Sequence, residues 1–347
     1  MCELSILIPA RQEEFLKHTI DNLLRNLRGD TEIIVVLDGA WADPPIPQHE
    51  RVTIVYHPVP RGQRAACNEA ANLARGRYVM KLDAHCTIDE GLDLKMVDAF
   101  RAEGDDVTMV PAMYNLWAFD WLCGKCGKRT YQGRKPTSCG SCDNTAEFIR
   151  EITFTHEATR GTTAFANWKR SRSALSTSYC FDSEPHFQYF GEYAKRPEAQ
   201  GDLAPTMSLQ GSCFACSKER FTALNLCDEA FGSWGSQGIE VACKTWLSGG
   251  RVLCNKRTWY AHLFRTQGGD FGFPYPLSSS QVKHAKMGVR ELFFENKWPQ
   301  QKYPLHWLVE KFWPVKGWSL EDLEHLKSLA ERPSDREAEA IPTNHSI

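Results

Sequence analysis

Short β-branched runs alternate with helix-patterned stretches through the first third of this chain, and no other feature restricts its fold as much. Strand-like runs at Leu4 to Pro9, Glu32 to Leu37, Val52 to Tyr56 and Tyr78 to Leu82 bracket helical patterns near Glu13 to Leu27 and Gln63 to Ala74. That rhythm predicts βαβ units around a mostly parallel sheet, an α/β class. A helix near Leu92 to Ala102 and a strand at Val107 to Pro111 extend it. In such sheets a ligand lies beyond the carboxyl ends of the strands, so chemistry is sought first in the residues just after each strand.

Further along, the pattern breaks. Between Trp121 and Glu147 it gives way to Gly, Cys, Lys and Arg, which reads as an inserted module. Ile149 to about Thr206 is rich in Ser, Thr, His and aromatics and reads as a substrate-facing excursion. Regular elements return with Met207 to Cys216, helices near Lys218 to Leu224 and Ile239 to Ser248, and strands at Arg251 to Cys254 and Trp259 to Leu263. Gln267 to Gly272 is Gly-rich and reads as a mobile lid. Ser319 with Asp322 has the arrangement of a cap opening a helix to about Ala330, and the charged residues from Pro333 onward read as a disordered tail.

With 347 residues, 42% of them hydrophobic, the chain can bury a large core. Its net charge of -2 excludes a global attraction to nucleic acid or anionic membranes, so such a contact needs a local basic patch. No signal-peptide pattern opens the sequence, and nowhere does it offer about 18 uninterrupted apolar residues, so the expectation is a cytoplasmic enzyme without a membrane partner.

Asp83-Ala84-His85 follows the strand Tyr78 to Leu82 and places a carboxylate and an imidazole at the sheet's carboxyl edge, where they can hold a divalent ion. Alone, Asp-x-His is a weak signal, as common in a bland turn. On residues alone, His262 reads as a half-buried strand histidine, Asp38 as the start of a turn and Arg265 as a solvated charge.

Context changes this. Gly62-Gln63-Arg64-Ala65-Ala66-Cys67-Asn68-Glu69-Ala70, then Ala74-Arg75-Gly76-Arg77-Tyr78 and Asp83-Ala84-His85-Cys86, are followed in order by Gly211-Ser212-Cys213-Phe214-Ala215, Trp234-Gly235 to Glu240, Trp246 to Arg251 and His262-Leu263-Phe264-Arg265. This series resembles the catalytic domain of the polypeptide N-acetylgalactosaminyltransferases and, more broadly, family 2 glycosyltransferases. The resemblance implies a GT-A fold and a metal-dependent transferase using a UDP-linked sugar. It implies manganese or magnesium on Asp83, His85 and His262, with Arg265 on the donor diphosphate, Asp38 on the nucleoside and Glu13 as the acidic residue of the first loop. Trp234, on a loop beside Gly235, suits stacking on sugar or base.

The sequence also departs from that family. An acidic residue expected after Trp-Gly-x is Gln237, and the next position, where many inverting relatives hold a base, is Gly238. Either Glu240, Asp228 or Glu229 takes the acceptor proton, or configuration is retained without a dedicated base. The family's arginines after the first Gly-rich turn are Ala65 and Cys67, leaving Arg64 as the nearby candidate for the phosphate grip.

Four of the thirteen cysteines, Cys123, Cys126, Cys139 and Cys142, form a C-x2-C-x12-C-x2-C pattern with a glycine in each knuckle, the spacing of a structural zinc ribbon. An iron centre or a redox pair is the alternative. The other cysteines, such as Cys67 and Cys254, read as small core hydrophobes. Around the ribbon stand Lys125, Lys128, Arg129, Tyr131, Gln132, Arg134 and Lys135, a basic finger suited to nucleic acid phosphates or simply a solvated loop.

The expected organisation is a nucleotide-sugar half at 1–118, a zinc ribbon at 119–147, an acceptor half at 148–280, a helical extension at 281–332 and a tail at 333–347. The expected acceptor is met in the cytosol: a hydroxylated base in DNA, with a protein Ser or Thr or a soluble glycan as the alternative. A nucleic-acid-binding protein on a decayed transferase scaffold is the rival from another class.

Overall fold

In the computed structural model, which describes residues 2–117, 119–131, 135–152, 169–265 and 279–330, the opening alternation is realised element by element. It runs β1 (Leu4–Ala10), α1 (Leu16–Asn26), β2 (Thr31–Asp38), β3 (Val52–His57), α2 (Gln63–Leu73), β4 (Tyr78–Leu82), β5 (Cys86–Ile88), α3 (Leu92–Glu103) and β6 (Val107–Trp117). Three strands, β7 (Phe119–Cys123), β8 (Arg129–Tyr131) and β9 (Phe148–Ile152), form a separate antiparallel sheet. Then come β10 (Lys169–Ser176), β11 (Tyr179–Phe181), β12 (Phe187–Tyr189), β13 (Leu203–Pro205), β14 (Cys213–Ser217), α4 (Lys218–Ala223), α5 (Gln237–Leu247) and β15 (Arg251–His262). Helices α6 (Ser279–Val289), α7 (Leu305–Lys311) and α8 (Leu320–Ala330) follow.

The main sheet has the order β13-β15-β6-β14-β4-β1-β2-β3, with β10 on β6 and β5 on β15. β1 is parallel to β2 and β4, and β2 to β3. The expectation of a mostly parallel sheet holds for that half only, because β14 runs antiparallel to both β4 and β6. Two strands expected between Arg251 and Leu263 are one, β15, whose register on β6 shifts between Asn255 and Trp259. Within Met207 to Cys216 only the residues from Cys213 form a strand. Long-range pairing, invisible to local pattern, decided both.

Side chains alternate across the sheet as strand geometry requires. Leu4, Ile6, Ile8, Ile33, Val35, Leu37, Tyr78, Met80 and Leu82 pack with α1 and α3 on one face. Leu7, Ile34, Val36, Val79, Phe214 and Cys216 pack with α2 and α5 on the other. Lys81 falls in the second set by parity and is 1% exposed. The C-terminal helices complete that second core, with Leu305, Leu308, Val309, Phe312, Leu323 and Leu326 buried against it. Trp246 of α5 meets Trp307 and Phe312 edge-on at 6.3 and 5.6 Å. The expected cap of α8 is present, Ser319 Oγ accepting from Asp322 N at 3.0 Å and Asp322 Oδ2 from Ser319 N at 2.9 Å.

Among the described residues no helix is long and apolar enough to cross a membrane. The expected lid at Gln267 to Gly272, the tail from Pro333, Gln132 and Arg134 lie outside the described residues.

Candidate active site

The turn after β4 is held from three sides. Asp83 N donates to Ser212 O at 2.8 Å, carrying the β4–β14 pairing one residue past the strand. Thr19 of α1, fully buried, donates its hydroxyl to Ala84 O at 2.8 Å and accepts from Cys86 N at 3.1 Å. β5 then lies antiparallel on the end of β15, with Cys86 opposite His262 and Leu263 N donating to His85 O at 3.1 Å. The backbone thereby brings Asp83, His85 and His262 together, their ligand atoms all within 4.8 Å of one another. His262 Nε2 is 3.1 Å and His85 Nε2 3.8 Å from the same atom, Asp83 Oδ2.

Glu13 sets the orientation of His85. Its Oε2 lies 3.1 Å from His85 Nδ1, and its other oxygen pairs with Arg265. A carboxylate on one imidazole nitrogen leaves the other as the ligating atom, the usual arrangement behind a metal-bound histidine. Burial opposes charge on Glu13, yet His85 and Arg265 hold its carboxyl below the ordinary value. Burial also opposes charge on Asp83, which the Lys81 ammonium and the two histidines nonetheless keep well below the usual carboxylate range. His262 is pushed down to about 4, mainly by burial, so its ring is neutral at pH 7 and keeps a lone pair to donate. One carboxylate with two imidazoles, and no fourth ligand in that cluster among the described residues, is a donor set that fits a catalytic divalent ion.

This triad lies in the wall of a cavity of about 360 Å³, shared with Arg11, Arg265, Gln63, Phe187 and Trp234. Among the described residues its charged lining is Arg11, Lys81 and Arg265 against Glu13 and Asp83, a balance that favours an anion.

Residues 5–121 match the family described as Glycosyl transferase family 2, a stretch that runs from β1 through Asp83 and His85 to the start of the cysteine module. The chain is also similar in fold to a crystal structure of GalNAc-T7 with UDP, GalNAc and Mn2+, with a TM-score of 0.57, 15% identity and coverage of 99% of this chain and 58% of that one. The fold is of the GT-A type. Human polypeptide N-acetylgalactosaminyltransferase 3 is 24% identical over 276 residues, covering 76% of this chain and 37% of its own length. A probable N-acetylgalactosaminyltransferase 8 of Caenorhabditis elegans is 35% identical over 74 residues, 21% of this chain and 18% of its own. The GT-A chain thus spans less than half the length of these relatives.

Not every residue singled out in the sequence reaches the GT-A cavity. Trp234, His262, Glu13 and Arg265 line it, but Asp38, Arg64 and Glu240 do not. Asp38 is fully buried and accepts from the backbone N–H of Arg61 at 2.6 Å and Gly62 at 2.9 Å, holding the loop that opens α2. Arg64, 2% exposed, turns inward to Glu240 Oε2 at 2.9 Å and to Gly235 O at 2.8 Å, over the ring of Phe231. Glu240, 0% exposed, also accepts from Lys244 at 2.9 Å and from Asp228 N at 3.1 Å. The expected phosphate grip and the expected base are therefore partners in a buried ion pair that ties α2 to α5. The other candidate bases serve structure too, Asp228 capping the next turn through Ala230 N at 3.0 Å and Glu229 accepting from Asn68 at 3.0 Å.

At Gly238 a missing base has a steric cause. A Cβ there would stand 2.0 Å from Leu209 O, so the backbone of the neighbouring loop runs where a side chain would project. Gln237 lines the cavity but its amide donates to Cys227 Sγ at 3.3 Å.

The four cysteines of the inserted module also converge. Cys123 and Cys142 sulfurs are 3.7 Å apart and those of Cys126 and Cys139 3.6 Å, with all four within 4.8 Å of one another and none in a disulfide. Four thiolates around zinc at about 2.3 Å stand about 3.8 Å apart, so the cage fits that ion. Against burial, which raises it, the amides of Cys126 and Lys125 and the Asn144 side chain bring the Cys123 thiol down to about 6. Trp121, Cys123 and Phe148 pack with Phe15, Ala261 and Leu263, so the module is rooted beside the triad. Its basic surface is partly neutralised, Lys125 pairing with Asp143 and Arg129 with Glu151 and Asp120.

Sequence reasoning passed over Lys81, Gln63, Arg11 and Phe187. The signal for Lys81 was present, as a lysine inside the otherwise apolar Tyr78 to Leu82.

Proposed function

We propose that this domain moves a sugar from a UDP-linked donor to a hydroxyl acceptor, with manganese or magnesium held by Asp83, His85 and His262. One observation carries this: three ligating side chains converge in a cavity whose lining is net cationic. Breaking a sugar–phosphate bond builds negative charge on the leaving diphosphate, and a divalent ion there neutralises it. Arg265, steadied by Glu13, and Arg11 offer the diphosphate fixed positive charge. Glu13 orients His85, Asp38 shapes the loop at the start of α2, and Trp234 presents an aromatic face to sugar or base. The solved GalNAc-T7 holding UDP and Mn2+ supports the donor and the ion.

For the acceptor we favour a protein or glycan hydroxyl over a hydroxylated DNA base. The human relative is named for a polypeptide acceptor, and two of the basic residues that pointed to DNA are engaged by acids. In this proposal residues 119–147 are a zinc-stabilised insertion between donor and acceptor halves, and the setting is cytosolic.

The test is UDP release from a panel of UDP-sugars with Mn2+, followed by mass spectrometry of Ser/Thr peptides, soluble glycans and duplexes carrying hydroxymethylated bases. Metal-dependent UDP release and a mass gain of one hexose or N-acetylhexosamine on peptide or glycan are expected. No release from any nucleotide sugar would overturn the transferase reading, and transfer to the duplex alone would restore DNA as acceptor.

A further inference from the structure

We infer that Lys81 couples metal loading to the nucleotide, so that the ion is held weakly by the empty domain and tightly once a diphosphate is present. This rests on the metal reading of Asp83, His85 and His262 given above. Lys81 occupies a β4 position on the face where Val79 and, on the adjoining strand, Phe214 and Cys216 are apolar core. Burying an ammonium there carries a large desolvation cost that an apolar residue would avoid, so packing does not account for it. What distinguishes the position is its reach: Lys81 Nζ pairs with Asp83 Oδ1 and donates to Gly211 O at 2.6 Å. Gln63 Nε2 approaches the same Oδ1 at 3.4 Å. Protein donors thus engage one oxygen of Asp83, and Oδ2, beside both imidazoles, is the one that faces an ion.

Charge gives this geometry its consequence. Asp83 and Glu13 are balanced by Lys81 and Arg265, and Arg11 adds a further positive group. Histidines ligate as neutral bases and supply no compensating charge. Among the described lining residues a divalent cation entering alone therefore meets no net negative charge, with an ammonium on the far oxygen of the Asp83 carboxylate. A nucleoside diphosphate reverses the balance. By linkage, the ion must then tighten the nucleotide by the same factor.

Mn2+ binding followed by electron paramagnetic resonance tests this in wild type, Lys81→Met and Lys81→Gln, each with and without UDP. Lys81→Gln retains a side-chain donor toward Asp83 and Gly211 while removing the charge, and thermal melting reports whether each variant folds. Because UDP itself ligates Mn2+, the deciding quantity is how the coupling changes. We expect wild type to bind Mn2+ at least about tenfold more weakly without UDP than with it, and either folded neutral variant to bind Mn2+ alone about tenfold more tightly than wild type does. Wild-type affinity indifferent to UDP, or neutral variants no better than wild type at binding Mn2+ alone, would overturn the role of Lys81 while leaving the metal site standing. No Mn2+ binding in any arm would overturn the metal reading and this inference with it.

Discussion

His262 Nε2 lies 3.1 Å from Asp83 Oδ2, although β15 and β4, the strands that deliver them, are separated in the sheet by β6 and β14. Short β5 closes the gap by leaving the Asp83 turn and pairing with the end of β15. The cluster of Asp83, His85 and His262 therefore depends on one small antiparallel contact.

Asp83→Asn or His262→Ala should lower turnover at least about 100-fold, as should removal of divalent ions by chelation followed by dialysis. Adding Mn2+ back should restore wild type and not the variants. Asp83→Ala is a poorer choice, since it leaves the buried Lys81 ammonium unpaired and should cost about 3 kcal/mol of stability by thermal unfolding.

Thr19 makes no contact with the cavity yet bridges Ala84 O and Cys86 N across the turn. Thr19→Val keeps its shape and removes both hydrogen bonds. Expected is a stability loss of about 1 to 3 kcal/mol together with Mn2+ affinity weakened about tenfold, read by calorimetry. Unchanged metal affinity at reduced stability would show that the turn is held without it.

Glu240→Gln separates a structural carboxylate from a catalytic one. Breaking its pairs with Arg64 and Lys244 should cost about 3 to 5 kcal/mol, while the pH–rate profile of the folded variant keeps its shape. Loss of the limb that reports an ionised base would reinstate Glu240 in catalysis.

Cys126→Ser or Cys139→Ser should abolish bound zinc, measured by plasma emission spectrometry, and expose 119–152 to protease before the sheet domain unfolds. Because Trp121 and Phe148 pack with Phe15 and Leu263, a partial loss of transferase activity should accompany it.

Much of the fold was legible because its first half is local: period-two strands and helical runs need no distant partner to be recognised, and β4 ends at Leu82 as its sequence pattern predicted. The antiparallel insertion of β14 was not, because nothing in Cys213 to Ser217 says which neighbour it will pair with. Resemblance singled out Asp83, His85 and His262 and spacing the four cysteines, and the structure brings each set together. Arg64 and Glu240 lie away from the cavity, paired with each other inside the core, because sequence order gives a residue's position along a helix but not the face that tertiary packing buries.

The approach of Leu209 O to Gly238 limits what this domain can become by mutation. A carboxylate cannot be introduced at 238 by one codon change, since even alanine would collide with a neighbouring carbonyl. Evolving or engineering a general base here requires the 207–212 loop to retreat first, and that loop carries Gly211 O, which receives the Lys81 ammonium. Any lineage that gained a base at this position would have had to rework the contact between Lys81 and Gly211 along the way.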